Sequence, residues 1–246
     1  TLRFDEPGKP LTVALPYGET PWVRITATGT DIGKTYVVSG LIRHWRAAGR
    51  TVEALKPVVS GFDPAAAADS DTGTLLTALG RPVTPAEIDR VSPWRFAAPL
   101  SPDMAAEREG RSIDFDAVVE FSRDAVAATK DILLIEGIGG IMVPLTDRHT
   151  VLDWMEALDI PLVLVAGSYV GSLSHTLTCL DALARRELTV KAIVVNDTPG
   201  SAATSQNTIS TLRNFEPRVA MASLPWRPEA LPGDMAFQKI AEMLER

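Results

Sequence analysis

Three short stretches carry residue types that can handle phosphate and charge. The first is Thr28-Gly29-Thr30-Asp31-Ile32-Gly33-Lys34-Thr35, set between a β-branched apolar run and a segment of helical spacing. There, consecutive backbone N–H groups and the positive end of a helix make a cradle for an anion. Gly33 lets the backbone approach a phosphate, Lys34 reaches toward terminal phosphates, and the Thr35 hydroxyl is placed to ligate Mg²⁺. A glycine turn with a solvated lysine and threonine has the same letters, but the strand before and the helix after favour phosphate binding. The strict loop pattern asks for glycine at position 28, where threonine stands.

The second stretch is the apolar run Ile132–Ile135, followed by Glu136 and Gly137-Ile138-Gly139-Gly140. A carboxylate leaving a buried strand beside a phosphate loop is where a P-loop enzyme keeps a Mg²⁺ ligand. The glycines after it make a backbone-lined pocket. The third is Lys56-Pro57-Val58-Val59-Ser60-Gly61, in which Pro57 biases Lys56 away from the helical region. That lysine then projects at the end of a strand, either neutralising an anionic substrate or standing in solvent. Other positions stay open on pattern alone. Asp69 and Asp71 suit a helix cap as well as a metal shell. Asn196 can close a turn or, since its amide both donates and accepts, pair with an adenine edge. The turn before His175 has helix-start N–H groups that can hold a carboxylate.

The elements that must position these residues follow from periodicity. Trp22–Ala27 and Val52–Leu55 read as strands, and so do the continuous apolar runs 132–135, 162–166 and 192–195. Such runs suit strands covered on both faces, as in a parallel sheet between helix layers. Helical spacing predicts helices over 34–48, 72–79, 114–128, 150–158, 174–186, 203–214 and 236–244, with Ser101 capping another that starts at Pro102. The alternation implies one α/β domain over residues 22–246, a doubly wound, mostly parallel sheet flanked by helices. Residues 1–21 hold four prolines without a period and are expected to form an N-terminal arm.

Composition narrows the classes. With 24 basic and 31 acidic residues the formal charge is −7, and no basic run is present, so neither a nucleic acid nor an anionic membrane is an expected partner. The single cysteine excludes an intrachain disulfide and a cysteine-rich zinc site. No membrane span or signal pattern is evident, and a cytoplasmic location is expected.

Taken in order, these stretches resemble dethiobiotin synthetase, a P-loop NTPase-like family. The resemblance includes the phosphate loop, Lys56–Gly61, Asp69–Asp71, Phe96–Pro102, Glu136–Gly140, Val170–His175, Asn196-Asp197 and Leu224-Pro225-Trp226. It implies ATP- and Mg²⁺-dependent closure of a cyclic urea on 7,8-diaminononanoate with CO₂ in biotin biosynthesis, in a homodimer whose substrate site lies at the subunit interface. By the same resemblance Thr35, Asp71 and Glu136 hold Mg²⁺, and Lys34 and Lys56 are catalytic. Thr30 through Thr35, Asn196, Pro225 and Trp226 bind ATP. Thr30, Lys56, Ser60, Gly139, Ser172, Leu173 and Ser174 bind substrate. Three departures stand out: Ala27 in place of the family loop's first glycine, adding a Cβ near phosphate, Ile138 in place of alanine, and Ser174 in place of asparagine. The rivals are an amide-forming synthetase of the cobyrinate synthase type and a nucleotide switch of the ParA/MinD type. The switch class carries an extra lysine early in the loop, where this chain has none.

Overall fold

The computed structural model describes residues 22–227 and 234–245, so the expected N-terminal arm lies outside the described residues. Eight strands run in chain order: β1 Trp22–Ala27, β2 Val52–Leu55, β3 Val58–Ser60, β4 Trp94–Phe96, β5 Ile132–Glu136, β6 Leu162–Gly167, β7 Val190–Asn196 and β8 Ala220–Leu224. Six form a sheet in the order β2-β5-β1-β6-β7-β8, with every pairing parallel. The strands β3 and β4 pair separately, also in parallel.

Alternation within the strands sorts the apolar side chains into two layers. On one face Val23, Ile25, Ala27, Ile132 and Leu134 pack under helices α1 (Lys34–Ala47), α2 (Asp71–Ala78) and α9 (Met235–Leu244). On the other, Leu133, Ile135, Leu162 and Leu164 meet α5 (Phe115–Ala128), α6 (Val151–Leu158), α7 (Ser172–Arg185) and α8 (Ser205–Leu212). Two short helices, α3 (Pro85–Val91) and α4 (Pro102–Arg108), complete the chain between β3 and α5. The sequence pattern found the five long strands to within two residues of their ends; it missed α3, β3, β4 and β8. β3 and β4 have three residues each, too short for a period to show, and β8, Ala220–Leu224, has no β-branched residue to mark it.

One buried residue breaks the apolar rule. Arg24, in β1, is 0% exposed and its guanidinium stacks over Trp154 of α6 at 3.5 Å from the ring centroid. None of its three side-chain nitrogens has an acceptor among the described residues, and burial pulls its pKa well below the ordinary arginine value.

The chain leaves β1 toward β2, returns to β5 beside β1, and then crosses to β6, β7 and β8 on the other side. In parallel α/β sheets such a reversal opens a crevice beyond the carboxyl ends of the strands. The loops after β1, β2 and β5 all end there.

Candidate active site

The phosphate loop follows β1 and turns into α1 through two left-handed residues, Asp31 at φ 55° and Gly33 at φ 90°. L-residues other than glycine rarely tolerate the second value. Space there is also short: a Cβ on Gly33 would lie 2.4 Å from Nδ2 of Asn196. That amide, at the end of β7, donates to the Ile32 carbonyl at 2.7 Å and so ties the loop to the sheet. Its Oδ1 is buried without a partner among the described residues. One of the two Nδ2 hydrogens is thus committed to Ile32, and the second, with Oδ1, is what Asn196 has left for an adenine edge.

Ala27 also differs from expectation. It is the last residue of β1, 0% exposed and packed in the layer beneath α1, so its methyl faces the core rather than a phosphate.

A cleft of about 740 Å³ opens above these strand ends. Thr30, Asp31, Gly33, Lys34, Thr35, Lys56, Ser60, Asp71 and Gly139, all expected from the sequence, line it. Apolar side chains line it as well: Ile138, already singled out as a departure from the family, and Val59, Pro99, Leu100, Pro102 and Val143, which were not expected. In Phe96–Pro102 the sequence signals the helix start at Ser101-Pro102, but no period says which way the preceding side chains point.

The polar floor is one connected cluster. Lys56, 4% exposed, donates to Glu136 Oε1 at 2.8 Å and to Asp71 Oδ2. The Thr35 hydroxyl lies 2.9 Å from Asp71 Oδ1 and 2.7 Å from Glu136 Oε1, donating to one at a time. Glu136 is 0% exposed and its Oε2 has no partner among the described residues. Burial pulls the Lys56 pKa down, but the charges of Glu136 and Asp71 outweigh it and hold it above the ordinary lysine value. Burial likewise pushes Asp71 up, and Lys56 overrides it to bring that carboxyl below the usual range. Lys34 fares differently. Burial brings it down to about 8, only partly offset by Glu136, and it donates to the Gly29 carbonyl at 3.1 Å.

Asp71 earns its place through its neighbour. Neither Asp69 nor Asp71 caps α2; Ser70 does, accepting from the Gly73 N–H at 3.1 Å. Asp71 becomes the first helical residue and its carboxylate turns to the cleft. Ser60 lines the cleft with a hydroxyl lacking any partner among the described residues.

The other expected residues stand apart from this cleft. Ser172, Leu173 and Ser174 begin α7 and do not line it. The Ser172 hydroxyl is buried and donates to the Gly167 carbonyl, Leu173 packs on the core, and Ser174 is exposed. Any anion held here would rest on the first N–H groups of α7 rather than on the Ser172 hydroxyl. Pro225 and Trp226 follow β8, whose last residue, Leu224, pairs with Asn196, and Trp226 is 58% exposed. They share the Asn196 side of the phosphate loop.

The cation expected at Thr35, Asp71 and Glu136 can be tested against their chemistry. All three offer oxygen, which hard divalent cations prefer, and the unpartnered Glu136 Oε2 is a spare acceptor. The residues fit.

A family profile described as an AAA domain matches residues 23–232. Among solved structures, Cyanthece apo McdA superposes with a TM-score of 0.55 at 12% identity over 91% of this chain and 98% of that one, and the hydrogenase maturation factor HypB of Archaeoglobus fulgidus with 0.52 at 13% over 92% and 89%. At such identities they speak for the fold alone. The ATP-dependent dethiobiotin synthetase BioD of Acidiphilium cryptum is 51% identical over 70% of this chain and 78% of its own length. That of Caulobacter vibrioides is 45% identical over 82% of this chain and 90% of its own. With relatives so similar over so much of its length, this chain belongs to the ATP-dependent dethiobiotin synthetase family.

Proposed function

We propose that this chain closes a cyclic urea on 7,8-diaminononanoate with CO₂ and ATP, forming dethiobiotin. The observation that carries it is one cleft lined both by Lys34, Lys56 and Asp71 and by the apolar side chains of Val59, Leu100 and Ile138. A nucleotide switch needs the charged half; an alkyl diamine makes use of both.

The chemistry runs in three steps. One amine adds to CO₂ and loses a proton, giving a carbamate. A carbamate oxygen then attacks the γ-phosphorus, and ADP leaves. The second amine adds to the carbonyl of the resulting anhydride, the C–O bond breaks, and phosphate departs with loss of the amine proton. Phosphoryl transfer of this kind depends mostly on positioning and charge neutralisation. The loop N–H groups and Lys34 hold the triphosphate, with Lys34 leaving the Gly29 carbonyl to do so. Lys56 meets the negative charge of the carbamate, and the free hydroxyl of Ser60 orients it. Val59, Leu100 and Ile138 shed water around the alkyl chain and keep the anhydride from hydrolysis.

Thr35, Asp71 and Glu136 would hold Mg²⁺, which when bound neutralises charge on the phosphate oxygens. Pro225 and Trp226 would border the base, with Asn196 offering its acceptor. The acid tail of the substrate would reach the start of α7 in a homodimer. In support, Val170 (96% exposed) beside that helix and Met142 (60% exposed) in the glycine loop leave apolar surface for a partner copy to cover. The need for ATP accords with a cytoplasmic enzyme.

The test is mass spectrometry of the product formed from the diamine, ¹³C-bicarbonate and Mg·ATP. A cyclic urea carrying the label is expected. ATP consumed without a labelled urea would refute the proposal, and ATPase stimulated by DNA in the absence of diamine would favour a switch.

A further inference from the structure

We propose that Lys56 is a resident counter-ion: in the nucleotide-free protein its ammonium sits where a divalent cation belongs, between Asp71 and Glu136, and it turns to the substrate only when that cation arrives. The inference rests on the cation site just assigned, and it concerns what this chain's own residues do before loading.

The geometry points this way in three respects. First, Lys56 already holds one oxygen of each carboxylate, Glu136 Oε1 at 2.8 Å and Asp71 Oδ2, while Glu136 Oε2 has no partner among the described residues. An ammonium held between the two carboxylates repels a divalent ion brought to their remaining oxygens, so the two cations compete for one pocket of negative charge. Second, the charges balance as they stand. Lys34 and Lys56 face Asp71 and Glu136; Lys56 and Glu136 are buried and tolerable there only as a pair, while the Asp71 carboxylate is half exposed. Without Lys56, the wholly buried Glu136 would lack its ammonium partner. Third, the lysine has somewhere to go. It lines the same cleft as Thr30 and Ser60, so a turn of its side chain carries the ammonium to them while Pro57 fixes the backbone.

The consequence is an order of events. While Lys56 is bound to the two carboxylates, no ammonium faces the carbamate position. When a cation takes over Asp71 and Glu136, one positive charge is released on the substrate side of the cleft. Loading of the nucleotide site and readiness toward substrate become a single change.

Mn²⁺ binding to the nucleotide-free full chain, followed by electron paramagnetic resonance and calorimetry, tests the idea. The Lys56→Met variant is expected to bind Mn²⁺ at least tenfold more tightly than wild type, and Lys56→Arg no more tightly. Lys34→Met removes a nearby charge without vacating the position, so its gain should be clearly smaller. Equal or weaker Mn²⁺ binding by Lys56→Met overturns the proposal, and so does an equal gain in Lys34→Met. Should Lys56→Met fail to fold, the wild type still decides. Isotopic reductive methylation of Lys56 should rise as Mn²⁺ saturates the protein, and unchanged labelling overturns the proposal. The product assay above is independent of all these outcomes, so the two proposals fail separately.

Discussion

Replacing Gly33 by alanine perturbs the phosphate loop in two ways whose costs can be separated. The backbone at φ 90° is left-handed, which costs an L-residue about 1–2 kcal/mol. The new Cβ would also lie 2.4 Å from Asn196 Nδ2, a distance no real contact allows, so the amide must swing off the Ile32 carbonyl. Losing that bond and stranding a buried partner costs about 1–3 kcal/mol. The single variant should therefore lose about 2–5 kcal/mol, the sum of those two ranges. Asn196→Ala alone breaks the same hydrogen bond, so the double variant incurs that loss once. Urea denaturation of wild type, both single variants and the double variant should give a coupling of about 1–3 kcal/mol in favour of the double variant, the hydrogen-bond loss counted once. Each kcal/mol corresponds to about 2–4 °C in Tm for a chain this long. Additivity within about 0.5 kcal/mol would refute the reasoning, because it would mean the amide and the turn do not meet.

The pKa of Lys34, held at about 8 by burial, predicts a pH effect on nucleotide binding. Above pH 8 the nucleotide-free lysine is largely neutral, while phosphate oxygens restore its proton. Binding should then take up a proton and weaken by up to about tenfold per pH unit, seen in calorimetry as a buffer-dependent enthalpy at pH 9 that vanishes at pH 6.5; no buffer dependence at pH 9 would count against it. Arg24→Met keeps the apolar stem and removes a charge with no acceptor among the described residues. It gives up a cation–π contact of about 2 kcal/mol but also a desolvation cost of several. Stability should stay level or rise by up to about 3 kcal/mol, and a fall in Tm of more than about 4 °C would mean that the guanidinium has an acceptor.

The sequence was most legible where chemistry and periodicity coincide. Thr35, Lys56, Asp71 and Glu136 are far apart in the chain, yet each follows or opens an element that the apolar pattern identifies, and they meet in one cluster. It was less legible where one residue's role depends on a neighbour it cannot announce. Asp71 is free for the cleft because Ser70 takes the cap. One hydrogen of the Asn196 amide is taken by Ile32, and the Ser172 hydroxyl by Gly167. Ala27 looked like a phosphate neighbour because of its place in the loop, but strand alternation turns its methyl inward. The apolar wall was hidden for a simpler reason: it comes from short, irregular segments that carry no repeat.

That wall has a consequence for how such an enzyme can change. Val59, Ser60, Asp71, Pro99, Leu100 and Pro102 all come from a single excursion of the chain between the edge strand β2 and helix α5, built partly on its own two-stranded sheet. The triphosphate-facing residues come instead from the central strand β1. Because the excursion leaves the main sheet at its edge and carries a small sheet of its own, its length and lining can drift while the central loop keeps its shape. A fold organised this way can try out new acceptor molecules without relearning how to grip its energy source.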